Sequence, residues 1–263
     1  IPLANRWWFK KKSANEGHAI RPHAHEERVE YEHVKYPSDI SKSEFNPDEG
    51  VVESGDAECL NCGVITERET IKQRLTDREF EYEVCGVQYK EERTGKSGYR
   101  GGNQSDKEAV ERAREKIESD LDLRTLLAIE RDAGDKSSLR VSDSIAYGME
   151  EWRDIYSPRQ LLSHSAYLEA YRSVKEQVIE EYDVSKAETI LTILALSAVK
   201  LIERNSKLEP IDIRRGSPAN MLGSNNFGFQ WAFGESNITV GSYSFESSLD
   251  VVLSNYEQLT KHL

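Results

Sequence analysis

Tyr147-Gly148-Met149-Glu150-Glu151-Trp152-Arg153-Asp154-Ile155-Tyr156-Ser157-Pro158-Arg159-Gln160-Leu161-Leu162 divides the chain into two kinds of sequence. Upstream it is polar and punctuated by turns; downstream it carries helical periodicity. The second part of the stretch is a helix start. Ser157 is a good N-cap, Pro158 suits the first helical position, and Gln160 closes a capping box. Tyr147, Trp152 and Tyr156 precede that start, where rings either pack on the new helix or face a partner. The apolar residues Leu161, Leu162, Ala166, Leu168, Tyr171, Val174 and Val178 then give the helix a broad face.

Working outward, Asp183-Val184 ends this helix and Ser185-Lys186-Ala187-Glu188 reads as the capping box of the next. That second helix holds Ile190, Leu191, Ile193, Leu194, Leu196, Val199, Leu201 and Ile202. It is apolar on most sides, which predicts the central member of a bundle. A last helix is expected from Ser247 to about Leu259. Before the dividing stretch, Ser105-Asp106-Lys107-Glu108 predicts a helix over 106–120, followed by a connector over 121–146. Further upstream, Val29–Tyr36 and Phe80–Tyr89 alternate as strands, and Val51-Val52 opens a short one. His18–His25, with Pro22, reads as a loop, as does the Gly-rich run 90–103. The fold class is α+β: a strand-rich, zinc-ribbon-like part over 1–104, a helix and connector over 105–146, and a mainly helical bundle over 147–263.

The chain has 263 residues, with 35 Lys and Arg against 47 Asp and Glu, for a net charge of −12. That balance argues against a generic phosphate-binding surface and requires any DNA contact to be local. An acidic surface also fits a high-salt cytoplasm. No apolar run is long enough to span a membrane, and the start lacks a signal-peptide pattern, so the expected location is the cytoplasm.

Three cysteines are present, Cys59, Cys62 and Cys85. An odd count with one Cys-x-x-Cys pair suits metal binding better than a disulfide framework. Glu58-Cys59-Leu60-Asn61-Cys62-Gly63-Val64-Ile65 is a knuckle that points two thiolates at one ion, half of a tetrahedral zinc site. Cys85 with His33 or His25 is one way to complete it. His23 and His25 also form a His-x-His pair, the weak basis of a metal-dependent hydrolase reading.

Four local groups are candidates for DNA contact. Lys10, Lys11 and Lys12 follow Trp7-Trp8-Phe9; Lys96, Tyr99 and Arg100 lie in the Gly-rich run; Arg214 and Arg215 form a basic pair; Arg159 and Gln160 stand in a first helical turn, from which such side chains reach base edges. Gly95-Lys96-Ser97 lacks the earlier glycine of a phosphate-binding loop and is no nucleotide site. No nucleophile constellation, Gly-rich turn for S-adenosylmethionine or Pro-Pro-Tyr motif occurs.

The dividing stretch, together with Ile1-Pro2-Leu3, Trp7–Lys12, Ala57–Ile65, Gly98-Tyr99-Arg100, Ala109–Arg114, Asn205-Ser206 and Phe227–Glu235, resembles the adenine-specific DNA methylases that carry a zinc ribbon. The matches run in the same order along nearly the whole chain. The resemblance implies a segment between the cofactor motif, upstream of Ile1, and the Pro-Pro-Tyr motif, downstream of Leu263. It implies a target-recognition role without catalysis by the segment alone. S-adenosylmethionine would belong to the complete methylase, and DNA and the remaining methylase domains are the implied partners. A Cys-Pro-x-Cys-Gly knuckle just before Ile1 would supply the other half of the zinc site. The competing reading is an independent zinc-knuckle module that docks a protein.

Overall fold

A computed structural model describes residues 1–26, 28–126, 128–129, 144–221 and 228–261. Phe227, residues 130–143 of the expected connector, and the turn at 134–138 lie outside them.

The architecture is α+β. Strands β1 (Trp8–Ser13), β2 (Glu16–His25) and β3 (Arg28–Tyr36) form an antiparallel sheet in the order β1-β2-β3. The expected loop at His18–His25 is therefore a strand. Pro22 is tolerated because β2 beyond Ala19 pairs with β3 alone, and a missing N–H costs little at an edge. Trp8 and Tyr36 pack beneath this sheet with tilted rings, centroids 5.2 Å apart, together with Ala19, Val34 and Ile40.

Strands β4 (Val52–Glu53), β5 (Asp56–Glu58) and β6 (Ile65–Thr66) make a second small sheet, followed by α1 (Arg68–Thr76). A hairpin of β7 (Gly86–Lys90) and β8 (Ser97–Gly101) then folds over the first sheet. Only the end of the expected Phe80–Tyr89 strand pairs. Its earlier residues have no strand partner; Tyr82 accepts a hydrogen bond from the Lys207 ammonium instead, at 2.7 Å. The Gly-rich run, expected as a loop, supplies β8. Gly101 explains the fit, since a Cβ there would stand 1.7 Å from the Tyr31 carbonyl oxygen.

The helices are α2 (Gln104–Ser119), α3 (Leu121–Thr125), α4 (Pro158–Glu181), α5 (Val184–Ile202) and α6 (Phe245–Thr260), with a two-stranded hairpin of β9 (Ile211–Asp212) and β10 (Ser217–Pro218) between the last two. The Ser157 capping box forms as expected. Two other caps sit two residues earlier than the sequence suggested. Asn103 boxes with Asp106, and Asp183 accepts from the Lys186 N–H, so Ser105 and Ser185 are inside their helices.

α4 and α5 are antiparallel: Tyr167 donates to the Leu194 carbonyl at 2.7 Å, while His164, three residues earlier, meets the Asn205 carbonyl at 2.9 Å. α2 packs on α4, α4 on α5 and α5 on α6, so the helices stand in a row. This corrects the expectation of a central helix. Leu201 is buried, but Leu191 and Leu194 are half-buried and Leu196 and Val199 are about half exposed. Among the described residues none of the helices is long and apolar enough to cross a membrane.

The two parts of the chain share cores. Trp231 and Ala232 pack on Ala4, Trp7, Val52 and Ala57, and Ile117 and Leu126 pack on Met149, Ile155 and Leu161. Tyr147 and Tyr156 are buried at the corner before α4. The Tyr147 ring stacks on Phe229 with centroids 4.1 Å apart, and its hydroxyl accepts from the Arg68 guanidinium at 3.2 Å.

Candidate functional site

The knuckle is built as a tight turn between β5 and β6. The Cys59 N–H donates to the Val64 carbonyl and the Gly63 N–H to the Cys59 carbonyl, each at 2.9 Å. Gly63 turns at φ 70°, a conformation that favours glycine. The backbone N–H groups of Cys62 and Asn61, and then the Cys62 thiol, hold the Cys59 thiol below its ordinary value. N–H groups aimed at a sulfur favour the thiolate, the form that ligates metal. The two residues thus fit half of a zinc site.

Cys85 does not join them, which corrects its assignment as a third ligand. It packs by Tyr31, and burial pushes its thiol up to about 11, away from the thiolate. Among the described residues no group of three His, Cys, Asp or Glu gathers for a metal ion. Neither suggested histidine turns to Cys85: His33 faces His18 at 3.0 Å and His25 faces Glu30 at 3.5 Å. His23 is separately engaged with Glu32 at 2.9 Å. The purified chain is therefore expected to hold well under one zinc per molecule after dialysis, measured by elemental analysis. About one tightly held zinc, retained when Cys85 is replaced by serine, would show that the missing ligands lie elsewhere in the chain.

The DNA-contact candidates divide by what each side chain already does. Trp7 and Trp8 are buried, so the ring-stacking half of the first group is internal. Lys11 pairs with Asp48 at 2.6 Å and lies over the Trp8 ring, and Lys12 pairs with Glu16 at 2.9 Å. Arg100 forks onto Asp106 at 2.5 and 2.9 Å, locking β8 to the cap of α2. Tyr99 stacks on His18, centroids 4.2 Å apart. Arg159 pairs with Glu235 and has to leave it to reach a base. Gln160 is buried, with its amide bonded to Ser157 and Gly234, which corrects its assignment to base edges: it lacks an exposed amide. Arg214 and Arg215 project into solvent beside Asp212, their side chains 90% and 73% exposed.

Two of these groups, about 200 residues apart in sequence, meet. The Lys11 N–H donates to the Ile213 carbonyl at 2.6 Å, and Gly216 lies against the Lys10 side chain. The β9–β10 hairpin thereby sets Arg214 and Arg215 alongside Lys10, Lys11 and Lys12. In a chain of net charge −12 this is a local basic edge.

A second convergence is buried and polar. Ser157 hydrogen-bonds Glu235, the Gln160 amide donates to the Gly234 carbonyl at 3.1 Å, and Asn205 accepts from the Ser236 N–H at 3.0 Å. The start of α4, the loop after α5 and the segment 228–237 are tied into one knot. Sequence reasoning singled out Ser157 as a helix cap, and Asn205 and Glu235 only as motif members. Glu209, wholly buried below the same loop, gave no sequence signal beyond its place before Pro210. Comparison of the chain with protein-family models, curated proteins and solved structures gave no match.

Proposed function

We propose that the chain is the DNA-contacting segment of an adenine-specific, S-adenosylmethionine-dependent DNA methyltransferase, without catalysis of its own. The resemblance at the sequence level supplies the reaction class. The observation that carries DNA contact is the union of Lys10–Lys12 with Arg214 and Arg215 along β1. An acidic protein needs such a concentrated edge to approach a polyanion. The buried knot supports the same reading, because motif members at 157–160, 205 and 234–235 hold one another in place. The Cys59–Cys62 turn would hold half of a structural zinc, with the remaining thiolates from another knuckle.

Titration of the 263-residue chain with S-adenosylmethionine, followed by calorimetry, is expected to show no saturable binding. The polypeptide extended by the sequences that flank it in the genome is expected to transfer tritiated methyl groups to adenine in duplex DNA. Saturable cofactor binding by this chain alone, or an extended polypeptide without methyl transfer, would overturn the proposal.

One observation favours the alternative of a protein-docking module. A groove of about 590 Å³ between α5 and α6 is lined by Ile193, Leu196, Val199, Val252, Tyr256 and Leu259. Exposed apolar surface of this kind marks interaction sites. Absence of DNA binding at low salt would favour that reading.

A further inference from the structure

The basic edge of β1 continues onto residues outside the DNA-contact candidates of the sequence. β2 and β3 pair His18 with Lys35 and Ile20 with His33, which sets the two imidazoles diagonally on one face. His18 Nδ1 and His33 Nε2 lie 3.0 Å apart, so one ring donates a single N–H to the other. The rings are nearly parallel at 17°, with centroids 5.2 Å apart, as in an edge-to-edge hydrogen bond. Tyr99 lies flat across both, and Phe9 meets its edge at 5.5 Å. Lys10 on β1 pairs across from His18, Lys35 stands opposite it on β3, and Lys12 is near enough to act on both His18 and Tyr99.

We propose that His18, His33 and Lys35 extend the Lys10–Lys12 edge into a phosphate contact for duplex DNA, and that the grip tightens when the histidine pair takes up a proton. The proposal rests on the DNA-contact reading above and names where the phosphates sit. The charged groups around the pair are few. Lys10, Lys12 and Lys35 surround His18; Asp39, Glu32 and Lys35 act on His33; Glu16 is held by Lys12. Asp39 is itself bound to Ser38 and the Lys35 N–H. Lysines and acids therefore nearly balance, and one added proton sets the sign of the patch.

Linkage gives the direction. Burial, then the partner imidazole and the lysines, hold His18 below its ordinary value; burial also lowers His33, against the pull of Asp39 and Glu32. The free pair is accordingly neutral near pH 7, with one of its two N–H groups between the rings. A phosphate placed among the lysines cancels their repulsion and favours the imidazolium, so DNA raises the pair's titration point and protonation strengthens binding. Nothing breaks: one proton from solvent occupies the free imidazole nitrogen, and the N–H to N bond becomes charge-assisted.

The test is fluorescence anisotropy of a labelled duplex with the full 263-residue chain at low salt, between about pH 8 and pH 5.5. Affinity is expected to rise by roughly tenfold over that range, at most about tenfold per pH unit for one linked proton. Changing Lys10 and Lys35 together to glutamine should weaken binding at every pH and cut the salt slope by about two, about one per phosphate contact. His18→Gln with His33→Gln should lose the rise in affinity toward low pH. Because those variants can misfold, the native chain is also read by imidazole NMR, where DNA should raise the titration points of His18 and His33. An unchanged titration, a lysine variant that binds as the parent does, a pH rise surviving in the histidine variant, or no duplex binding at all would each overturn the proposal. The methylase reading is judged separately by methyl transfer from the extended polypeptide, so the two can fail independently.

Discussion

Replacing Glu209 by glutamine is expected to flatten the decline of stability with rising pH. The Glu209 side chain is fully enclosed; one carboxyl oxygen accepts from the Ser206 N–H at 2.9 Å and the other has no hydrogen-bond partner among the described residues. Burial pushes the carboxyl up from its ordinary 4.5 to about 9, while the Ser206 N–H and Arg204 pull in the opposite direction. In the folded chain the group is therefore a neutral acid at pH 7, and in the unfolded chain it is a carboxylate. Folding takes up a proton between those two values. The stability tied to this residue is fully present below about pH 4.5 and is lost as pH climbs toward 9. At about 1.4 kcal/mol per pH unit, the native chain should lose roughly 4 kcal/mol from this one group between pH 5 and pH 8. Glutamine keeps the shape and the acceptor for Ser206 but has no proton to exchange. Urea unfolding at pH 5, 6.5 and 8 measures the difference. If the glutamine variant keeps the parent's slope, Glu209 is ionised in the fold and the burial argument is wrong.

What the sequence made legible was local. Ser157, Pro158 and Gln160 announced the start of α4, because a cap is a transaction among four neighbouring residues. The knuckle was legible for the same reason, since two cysteines and a glycine within five positions determine the turn. The misses were also physical. Serines at 105 and 185 looked like caps, yet Asn103 and Asp183 offer stronger acceptors two residues earlier and take the role. His18–His25 looked like a loop because Pro22 ordinarily excludes a strand, and only the short reach of β1 along β2 makes the proline harmless. α5 read as a central helix because its composition is apolar nearly all round. Whether a partner covers that surface is set by neighbours, and the row of helices leaves it open.

The candidate site was legible in its parts and illegible in its assembly. Lys10–Lys12 and Arg214-Arg215 were each visible as basic clusters, but no local signal says that the β9–β10 hairpin docks on β1. The His18–His33 bond depends on register: a slip of one residue would send one ring to the other face of the sheet. Charge counting alone would also have overstated the basic edge, since Lys11 and Lys12 each hold a carboxylate and Arg214 and Arg215 share Asp212. What remains for a polyanion is a narrow set of cations with a titratable pair among them.

Gln160 gives the sharpest test of whether the buried knot holds the C-terminal half together. Its backbone N–H donates to the Ser157 hydroxyl at 3.2 Å, its side-chain oxygen accepts from the Ser157 N–H at 2.9 Å, and its amide nitrogen donates to Gly234 at 3.1 Å. One side chain thus closes the cap of α4 and ties it to the segment that carries Glu235. Gln160→Ala leaves the Ser157 N–H and the Gly234 carbonyl without partners, at about 1–3 kcal/mol each, and opens a void. The expected loss is about 3–5 kcal/mol by urea unfolding. Gln160→Glu separates hydrogen bonding from volume. The shape is retained and the Ser157 N–H keeps its acceptor, but an ionised oxygen would face the Gly234 carbonyl beside Glu235. The introduced acid should therefore stay protonated in the fold, with its titration point raised by burial and by those oxygens. By the sign argued for Glu209, this variant should approach the parent near pH 5 and fall behind it as pH rises. DNA affinity of the still-folded variants should not change, because the basic edge of β1 is built from other contacts. A Gln160→Ala chain within about 0.5 kcal/mol of the parent would place the bonds of Gln160 among ordinary surface contacts, and the knot would not be what joins the three segments.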